Sequence, residues 1–230
     1  MAKMGRATWL LTALAVASSM VAAQSPAIKI MPLGDSITGS PGCWRALLWR
    51  KLQDAKITNT DFVGTLPAQG CGFTYDGENE GHGGFLATGI VSNKQLPGWL
   101  SKTNPDVVMM HLGTNDVWNN KSPDEILAAF STLLGQMRDS KKTMKILVAQ
   151  IIPMNPPNCA QCAQGVVALN KAIPGWAAAK NTTDSPITVV DCWTGFDDAK
   201  DTNDGVHPNS SGNEKMANCW FDPLVRVLKS

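Results

Sequence analysis

Four short apolar runs constrain the fold more than any other feature of this sequence. They occupy residues 28–33, 105–112, 145–152 and 187–191, and none shows a strict alternation of apolar and polar residues. Unbroken apolar runs of this length are typical of strands that are buried on both faces, as in a parallel sheet covered by helices. A weaker run, TDFVGTL from Thr60, predicts a fifth strand.

The segments between these runs have the apolar spacing of amphipathic helices. The clearest is SPDEILAAFSTLLGQMRDS, in which Ser122 can cap the helix and Pro123 suits its first turn. Its apolar residues recur three and four positions apart, at Ile126, Leu127, Phe130, Leu133, Leu134 and Met137. Strands separated by helices need crossover connections, so the sequence predicts an α/β fold with helices on both faces of a parallel sheet.

Polar loops follow several of the predicted strands. Ser36 follows the first strand in IKIMPLGDSITGS, Asn115 follows the strand DVVMMHL in GTND, and Asp204 and His207 follow the last strand in DTNDGVHPNSSG. The glycine-rich GHGG at residues 81–84 precedes a predicted helix and could present backbone N–H groups. Because ligand sites of such sheets lie at the carboxyl ends of the strands, these loops are predicted to converge on one edge.

A serine hydroxyl becomes a good nucleophile when a base takes its proton. The chain has three histidines, His82, His111 and His207, and Asp204 lies three residues before His207. An aspartate that accepts a hydrogen bond from one imidazole nitrogen leaves the other nitrogen to take the serine proton. The alternative is a solvated turn with an incidental histidine, since Asp, Gly, Asn, Pro and Ser are ordinary turn residues.

The segments GDSIT, GHGGF, GTND and DGVHP, in this order, resemble the four sequence blocks of the SGNH (GDSL) hydrolase superfamily. The longer forms of these segments are most similar to those of secreted family 3 carbohydrate esterases, which include acetyl xylan esterases. They are MPLGDSIT, EGHGGF, HLGTND and DGVHPNSSG. The resemblance implies a flavodoxin-like three-layer α/β/α sandwich with a five-stranded parallel sheet, and a serine esterase that needs no metal or other cofactor. A GxSxG elbow is absent from the sequence, which disfavours the ordinary α/β-hydrolase arrangement.

Carried over residue by residue, the resemblance implies a catalytic triad of Ser36 as nucleophile, His207 as base and Asp204 as the orienting acid. It also implies three oxyanion-hole donors: the backbone N–H groups of Ser36 and Gly84, and the side-chain amide of Asn115. Gly84 is chosen among the glycines of the second block by alignment to the family's GHxG wording.

The implied substrate is an acetylated plant cell-wall polysaccharide or oligosaccharide, acetyl xylan above all. No large lid or long apolar insertion is visible in the sequence, which favours a short acyl group. A pectin or rhamnogalacturonan deacetylase and a short-chain lipase are alternatives within the superfamily. A non-catalytic secreted carbohydrate-binding protein is the alternative in another class, and the complete set of Ser, Asp, His and Asn argues against it.

Residues 1–23 have the features of a secretory signal peptide, in which Lys3 and Arg6 precede a short apolar core and small residues precede the cleavage site. We expect residues 24–230 to form a single exported domain, monomeric and without a membrane anchor, because the apolar core is too short to span a bilayer. The formal net charge of the whole chain is +1, which provides no electrostatic footprint for nucleic acid.

Six cysteines in an exported chain predict disulfides. Many pairings are possible; a bridge within CAQC is locally plausible, because a zinc site there would need a second ligand pair that the sequence lacks. Segment order then suggests the set Cys159–Cys162, Cys43–Cys71 and Cys192–Cys219.

Some residues keep two interpretations. Trp118 and Trp193 either stack on sugar rings or join the core, and we expect structural roles for His82 and His111. The acidic run Asp197, Asp198, Asp201 and Asp204 either binds calcium or forms a solvated loop. Sequons at Asn120, Asn181 and Asn209 agree with passage through a secretory pathway.

Overall fold

The computed structural model describes residues 1, 2, 4 and 26–230, so the predicted signal peptide lies almost entirely outside the described residues. A sheet forms the centre of the fold. Its strands are β1 (Ile28–Gly34), β2 (Thr60–Phe62), β3 (Glu80–Gly81), β4 (Val107–His111), β5 (Lys145–Gln150) and β6 (Ile187–Asp191).

All pairings between these strands are parallel, and the main order across the sheet is β2-β1-β4-β5-β6. With β3 left out of the count, this is the strand order of flavodoxin-like folds. The predicted fold class and its main strands are therefore confirmed. Every residue of β4 is buried, as expected for a strand with helices on both faces.

The strand β3 is an addition to the predicted five. It pairs with Leu33 and Gly34 of β1, whereas β2 pairs with the earlier residues Ile28 to Ile30. Since β4 pairs with the same Leu33 and Gly34, β3 must continue the edge that β2 begins. A strand of two residues has no detectable hydrophobic period, so the sequence does not reveal it.

Helices flank the sheet on both sides. They are α1 (Ser36–Gly39), α2 (Trp44–Asp54), α3 (Ala87–Ser92), α4 (Leu96–Thr103), α5 (Thr114–Trp118), α6 (Pro123–Ser140), α7 (Cys162–Lys180), α8 (Asp198–Asp201) and α9 (Ser210–Lys229). In one layer α2 packs against α9, where Trp44 stacks on Trp220 at 5.9 Å between ring centroids. In the other layer α6 packs against α4 and α7.

The helix α6 begins as the sequence predicts. Ser122 accepts a hydrogen bond from the Glu125 N–H while the Glu125 side chain accepts from the Ser122 N–H, which is a complete capping box. Pro123 takes the first helical position, where its missing N–H costs no hydrogen bond. Of the described residues, no helix is both long and apolar enough to cross a membrane.

The structure contains the three disulfides that segment order suggests. Their Cα–Cα separations are 5.6 Å for Cys43–Cys71, 5.4 Å for Cys159–Cys162 and 5.1 Å for Cys192–Cys219, within the normal range for such bridges. The first links the start of α2 to the loop before β3. The third links the end of β6 to α9.

The asparagines of the three sequons differ in accessibility. Asn120 and Asn181 are exposed. Asn209 caps α9, and its amide nitrogen donates to the carbonyl oxygens of Lys200 at 2.7 Å and Thr202 at 3.1 Å. A glycan on the Asn209 amide nitrogen would replace one of its two hydrogens and therefore break at least one of these hydrogen bonds.

Candidate active site

Ser36 follows the carboxyl end of β1 and is the first residue of α1. Asp35 caps this helix, and its Oδ1 accepts a hydrogen bond from the Ile37 N–H at 3.0 Å. The first N–H groups of a helix have no intrahelical partner, so the N–H of Ser36 is available to a ligand. The turn thus places both the hydroxyl and the N–H of one residue at the rim of the sheet.

The structure brings Ser36 together with His207 and Asp204, although the serine is 171 positions away from the histidine. The Ser36 hydroxyl lies 2.9 Å from His207 Nε2, and His207 Nδ1 lies 2.7 Å from Asp204 Oδ2. A carboxylate can only accept, so Nδ1 carries the imidazole proton and Nε2 accepts from the serine. This is the tautomer that allows a histidine to take a serine proton.

Asp204 is held in place by its own backbone. Its Oδ1 accepts from the N–H groups of His207 at 2.8 Å and Val206 at 3.0 Å. Partial burial raises the pKa of Asp204, but the hydrogen bonds from His207 and Val206 outweigh it and leave the pKa below its usual value. Gly205 has a φ of +82°, and a Cβ there would lie 2.9 Å from the Asn155 carbonyl oxygen, so this turn requires glycine.

The second of the four sequence blocks, the glycine-rich segment GHGGF, lies beside Ser36. The His82 N–H donates to the Gly34 carbonyl at 3.0 Å, and a Cβ built on Gly83 would lie 3.8 Å from the Ser36 Cβ. Gly84 is exposed and has a φ of +78°, a conformation that favours glycine. Its expected role as an oxyanion donor is therefore compatible with its position.

Asn115 and Asp116 join the third block to the second. Asn115 Nδ2 donates to the Phe85 carbonyl at 3.0 Å, which leaves its second amide hydrogen for another acceptor. Buried Asp116 accepts from the N–H groups of Ala87 at 2.7 Å and Thr88 at 3.0 Å, and so caps α3 from outside that helix. Asn115 does not cap its own helix α5, whose N-cap is Gly113.

His82 is enclosed rather than free to act on the serine. Its Nε2 lies 2.6 Å from Oε1 of the buried Glu80, and its ring stacks with Trp99 at 4.4 Å and Phe85 at 4.8 Å between centroids. Glu80 also accepts from the N–H and the hydroxyl of Thr65. The pair anchors the strand that leads into the glycine turn.

His111, Trp118 and Trp193, which the sequence analysis also considered, are buried or partly buried. His111 is buried, its Nε2 accepts from the Ile152 N–H at 3.2 Å, and burial lowers its pKa to about 4, so the ring is neutral at pH 7. Trp118 and Trp193 are partly buried and pack against the hydrophobic core.

The acidic run does not form a metal site. Asp197 caps α8 and binds Lys200 at 2.7 Å, and Asp201 accepts from Lys215 at 2.6 Å and from Ser211 at 2.7 Å. Among residues 26–230, no group of three or more His, Cys, Asp or Glu side chains is arranged to hold a metal ion.

Two buried charged residues support the serine turn, and the sequence alone did not indicate their roles. Arg45 donates to the carbonyls of Thr38 at 2.7 Å and Gly39 at 3.2 Å, which end α1, and to the carbonyl of Gly77. Burial raises the pKa of Asp35 to about 7, although the hydrogen bond from the Ile37 N–H lowers it. Asp35 belongs to the GDS motif, but only the fold shows that its carboxyl group is fully buried.

A serine, a histidine and an aspartate joined by hydrogen bonds at the carboxyl edge of a parallel sheet define the architecture of a serine hydrolase. The chain belongs to the GDSL-like Lipase/Acylhydrolase family, which it matches over residues 33–215.

Several proteins are similar to this chain over most of its length. A family 3 carbohydrate esterase from Talaromyces cellulolyticus is 34% identical, with a TM-score of 0.80, 88% of this chain covered and 98% of that one. A family 3 carbohydrate esterase from Clostridium thermocellum is 30% identical, with a TM-score of 0.75, 89% of this chain covered and 100% of that one. A multidomain esterase from Ruminococcus flavefaciens is 30% identical over 88% of this chain, and the match spans only 29% of that longer protein.

Proposed function

We propose that this protein is a secreted serine esterase that removes O-acetyl groups from plant cell-wall polysaccharide, with acetyl xylan as its main substrate. The observation that carries the proposal is the continuous hydrogen-bond chain from Ser36 through His207 to Asp204. The similarity to family 3 carbohydrate esterases supports a sugar ester as the substrate.

In the proposed reaction the Ser36 hydroxyl oxygen attacks the acetyl carbonyl carbon, and His207 Nε2 takes the hydroxyl proton. The negative charge that develops on the carbonyl oxygen is stabilised by the N–H groups of Ser36 and Gly84 and by the free amide hydrogen of Asn115. When the intermediate collapses, the bond to the sugar oxygen breaks and His207 gives its proton to that oxygen, which leaves as a hydroxyl group.

Water then attacks the acetyl group on Ser36, with His207 taking a proton from the water and returning it to the serine oxygen as acetate leaves. Asp204 stays ionised throughout, because its hydrogen bonds hold its pKa below the usual value. Its charge favours the imidazolium form that His207 adopts after each proton transfer.

Acetate release from acetylated xylan, acetylated mannan and acetylated pectin tests the proposal, with Ser36→Ala as the matched control. We expect wild type to release acetate fastest from xylan and Ser36→Ala to release it at the background rate. Equal background rates from both proteins on every substrate and on p-nitrophenyl acetate would indicate a non-catalytic binding protein instead.

Export is part of the proposal. The three disulfides support an oxidising compartment, since such bridges are rare in proteins that stay in the cytosol. The mature protein recovered from culture medium should begin near residue 24. A protein that stays inside the cell and still carries residues 1–23 would contradict the proposed export.

A further inference from the structure

A groove outside the triad opens between α2, the loop that follows Cys71 and the first turn of α9, with a cavity of about 340 Å³. The Cys43–Cys71 disulfide, Leu47 and Phe73 give it an apolar floor, and Ser210 and Glu214 stand on one side. None of these residues belongs to the catalytic machinery proposed above.

Two of the segments that line the groove also carry the reacting groups further along the chain. After Ser36 the chain passes through the short helix α1 to Cys43, and Ser210 lies three residues after His207, no more than about 10 Å along the chain. Asn213 Oδ1 accepts from the Trp44 N–H at 2.9 Å, which fixes the start of α9 against the start of α2. One wall of the groove therefore lies within about 10 Å of His207, close enough for a neighbouring ring of a chain-like substrate.

The floor is rigid. Cys43, Leu47 and Arg50 are spaced four and three positions apart on one face of α2, and the Arg50 guanidinium lies 3.6 Å from the centroid of the Phe73 ring. The disulfide holds the loop that carries Phe73 against the same helix. An aromatic ring fixed in this way presents a preformed apolar surface to a ligand.

The side of the groove is polar and free to bind. Ser210 and Glu214 are exposed, and within residues 26–230 neither side chain has a hydrogen-bond partner. Glu214 gives this side a negative charge. Arg50 lies over the Phe73 ring and is not among the residues that line the cavity.

We propose that this groove is a subsite for an uncharged pyranose ring of the polysaccharide, a neighbour of the ring that carries the scissile acetyl group. A pyranose has an apolar C–H face that fits the floor and hydroxyl groups that can bind Ser210 and Glu214. A uronate ring would bring a second negative charge beside Glu214, so the groove selects neutral polymers over pectin-like ones. This inference rests on the proposed esterase function.

The test compares two substrates, an acetylated xylo-oligosaccharide and p-nitrophenyl acetate, which has no sugar ring. Phe73→Leu keeps an apolar side chain but removes the ring face. We expect the ratio of kcat/KM for the oligosaccharide to that for p-nitrophenyl acetate to fall about tenfold, through KM, as for a loss of about 50 Å² of apolar contact.

Phe221→Leu is the matched control, because Phe221 is also a half-buried phenylalanine beneath a cation, Lys51 at 5.8 Å, and does not line the groove. Its ratio should equal that of wild type. Glu214→Ala, an exposed change that folding tolerates, should also lower the ratio by about threefold or more, as for the loss of one hydrogen bond.

Wild-type ratios in both Phe73→Leu and Glu214→Ala would overturn the subsite while leaving the esterase intact. Should Phe73→Leu fail to fold, Glu214→Ala alone decides. Faster turnover of acetylated pectin fragments than of xylo-oligosaccharides by wild type would overturn the preference for neutral rings. A wild-type protein inactive on both test substrates would instead refute the proposed function.

Discussion

Asp35→Asn should make the protein more stable at neutral and alkaline pH. The Asp35 carboxyl group is fully buried next to Ser36; its Oδ1 caps α1, and its Oδ2 has no hydrogen-bond partner within the described residues. Asparagine keeps the Oδ1 acceptor for the Ile37 N–H and has no charge to bury. The substitution therefore removes an electrostatic cost and retains the cap.

The size of the effect follows from the pKa. Burial raises the pKa of Asp35 from 3.8 to about 7. Between these two values the unfolded chain has lost the Asp35 proton and the folded protein still holds it, so the free energy of unfolding falls as the pH rises. Each pKa unit corresponds to about 1.4 kcal/mol, so the full cost above pH 7 is about 4 kcal/mol.

His111 produces the opposite slope in the wild-type protein. Burial lowers its pKa to about 4 from 6.5, so the free energy of unfolding falls as the pH drops through this interval, where the unfolded chain binds a proton and the folded protein does not. The wild-type profile alone would hide the contribution of Asp35. The difference between Asp35→Asn and wild type isolates it.

Urea unfolding followed by tryptophan fluorescence, at several pH values between about 4 and about 8, provides the measurement. The stability difference should be smallest near pH 4 and grow to about 4 kcal/mol in favour of Asp35→Asn near pH 8. Asp54→Asn, an exposed change at the end of α2, is the control and should show no such growth. A difference that does not depend on pH would refute the reasoning.

The remaining predictions concern the site and its supports. Asp204→Asn should lower kcat about 10⁴-fold with little change in melting temperature; unchanged turnover would remove Asp204 from the triad. Asn115→Ala should lower kcat about 10²- to 10³-fold and also cost about 1 kcal/mol through the lost bond to Phe85, whereas a less stable but fully active variant would leave only the structural role. Arg45→Met should lower the free energy of unfolding by about 3 kcal/mol or more, because it leaves the carbonyl groups that end α1 without hydrogen-bond donors. Arg226→Met, at an exposed position, is the control in the same unfolding assay. Alkylation without reductant followed by mass spectrometry should find no free thiol, and reduction should cost about 2 to 4 kcal/mol per bridge.

The sequence was most informative where one local pattern decides the structure. The unbroken apolar runs predicted the main strands because strands buried on both faces lose their alternation. The Ser122 cap and Pro123 predicted the start of α6, because both act within a single turn. The disulfides followed from segment order because each bridge joins cysteines that are near in sequence or in neighbouring elements.

The supports of the site could not be predicted, because their partners are distant in sequence. Arg45 reaches a carbonyl 32 positions away, and Asp116 caps a helix that begins 29 positions earlier. A charged residue is ordinarily expected at the surface, so nothing local marks these as buried. The catalytic roles of Ser36, Asp204 and His207 remain predictions that the geometry accommodates and that kinetics must test.

The way Asn115 and Asp116 hold the second block has a consequence for how the enzyme can diversify. Their contacts are mostly with main-chain atoms, namely the carbonyl of Phe85 and the N–H groups of Ala87 and Thr88. A main-chain contact survives a change of side chain if the backbone keeps its path. Phe85 also stacks its ring on His82, so position 86 is the one where a new side chain disturbs neither contact. A library randomised at position 86 should therefore yield many folded members, and a library randomised at 115 and 116 few.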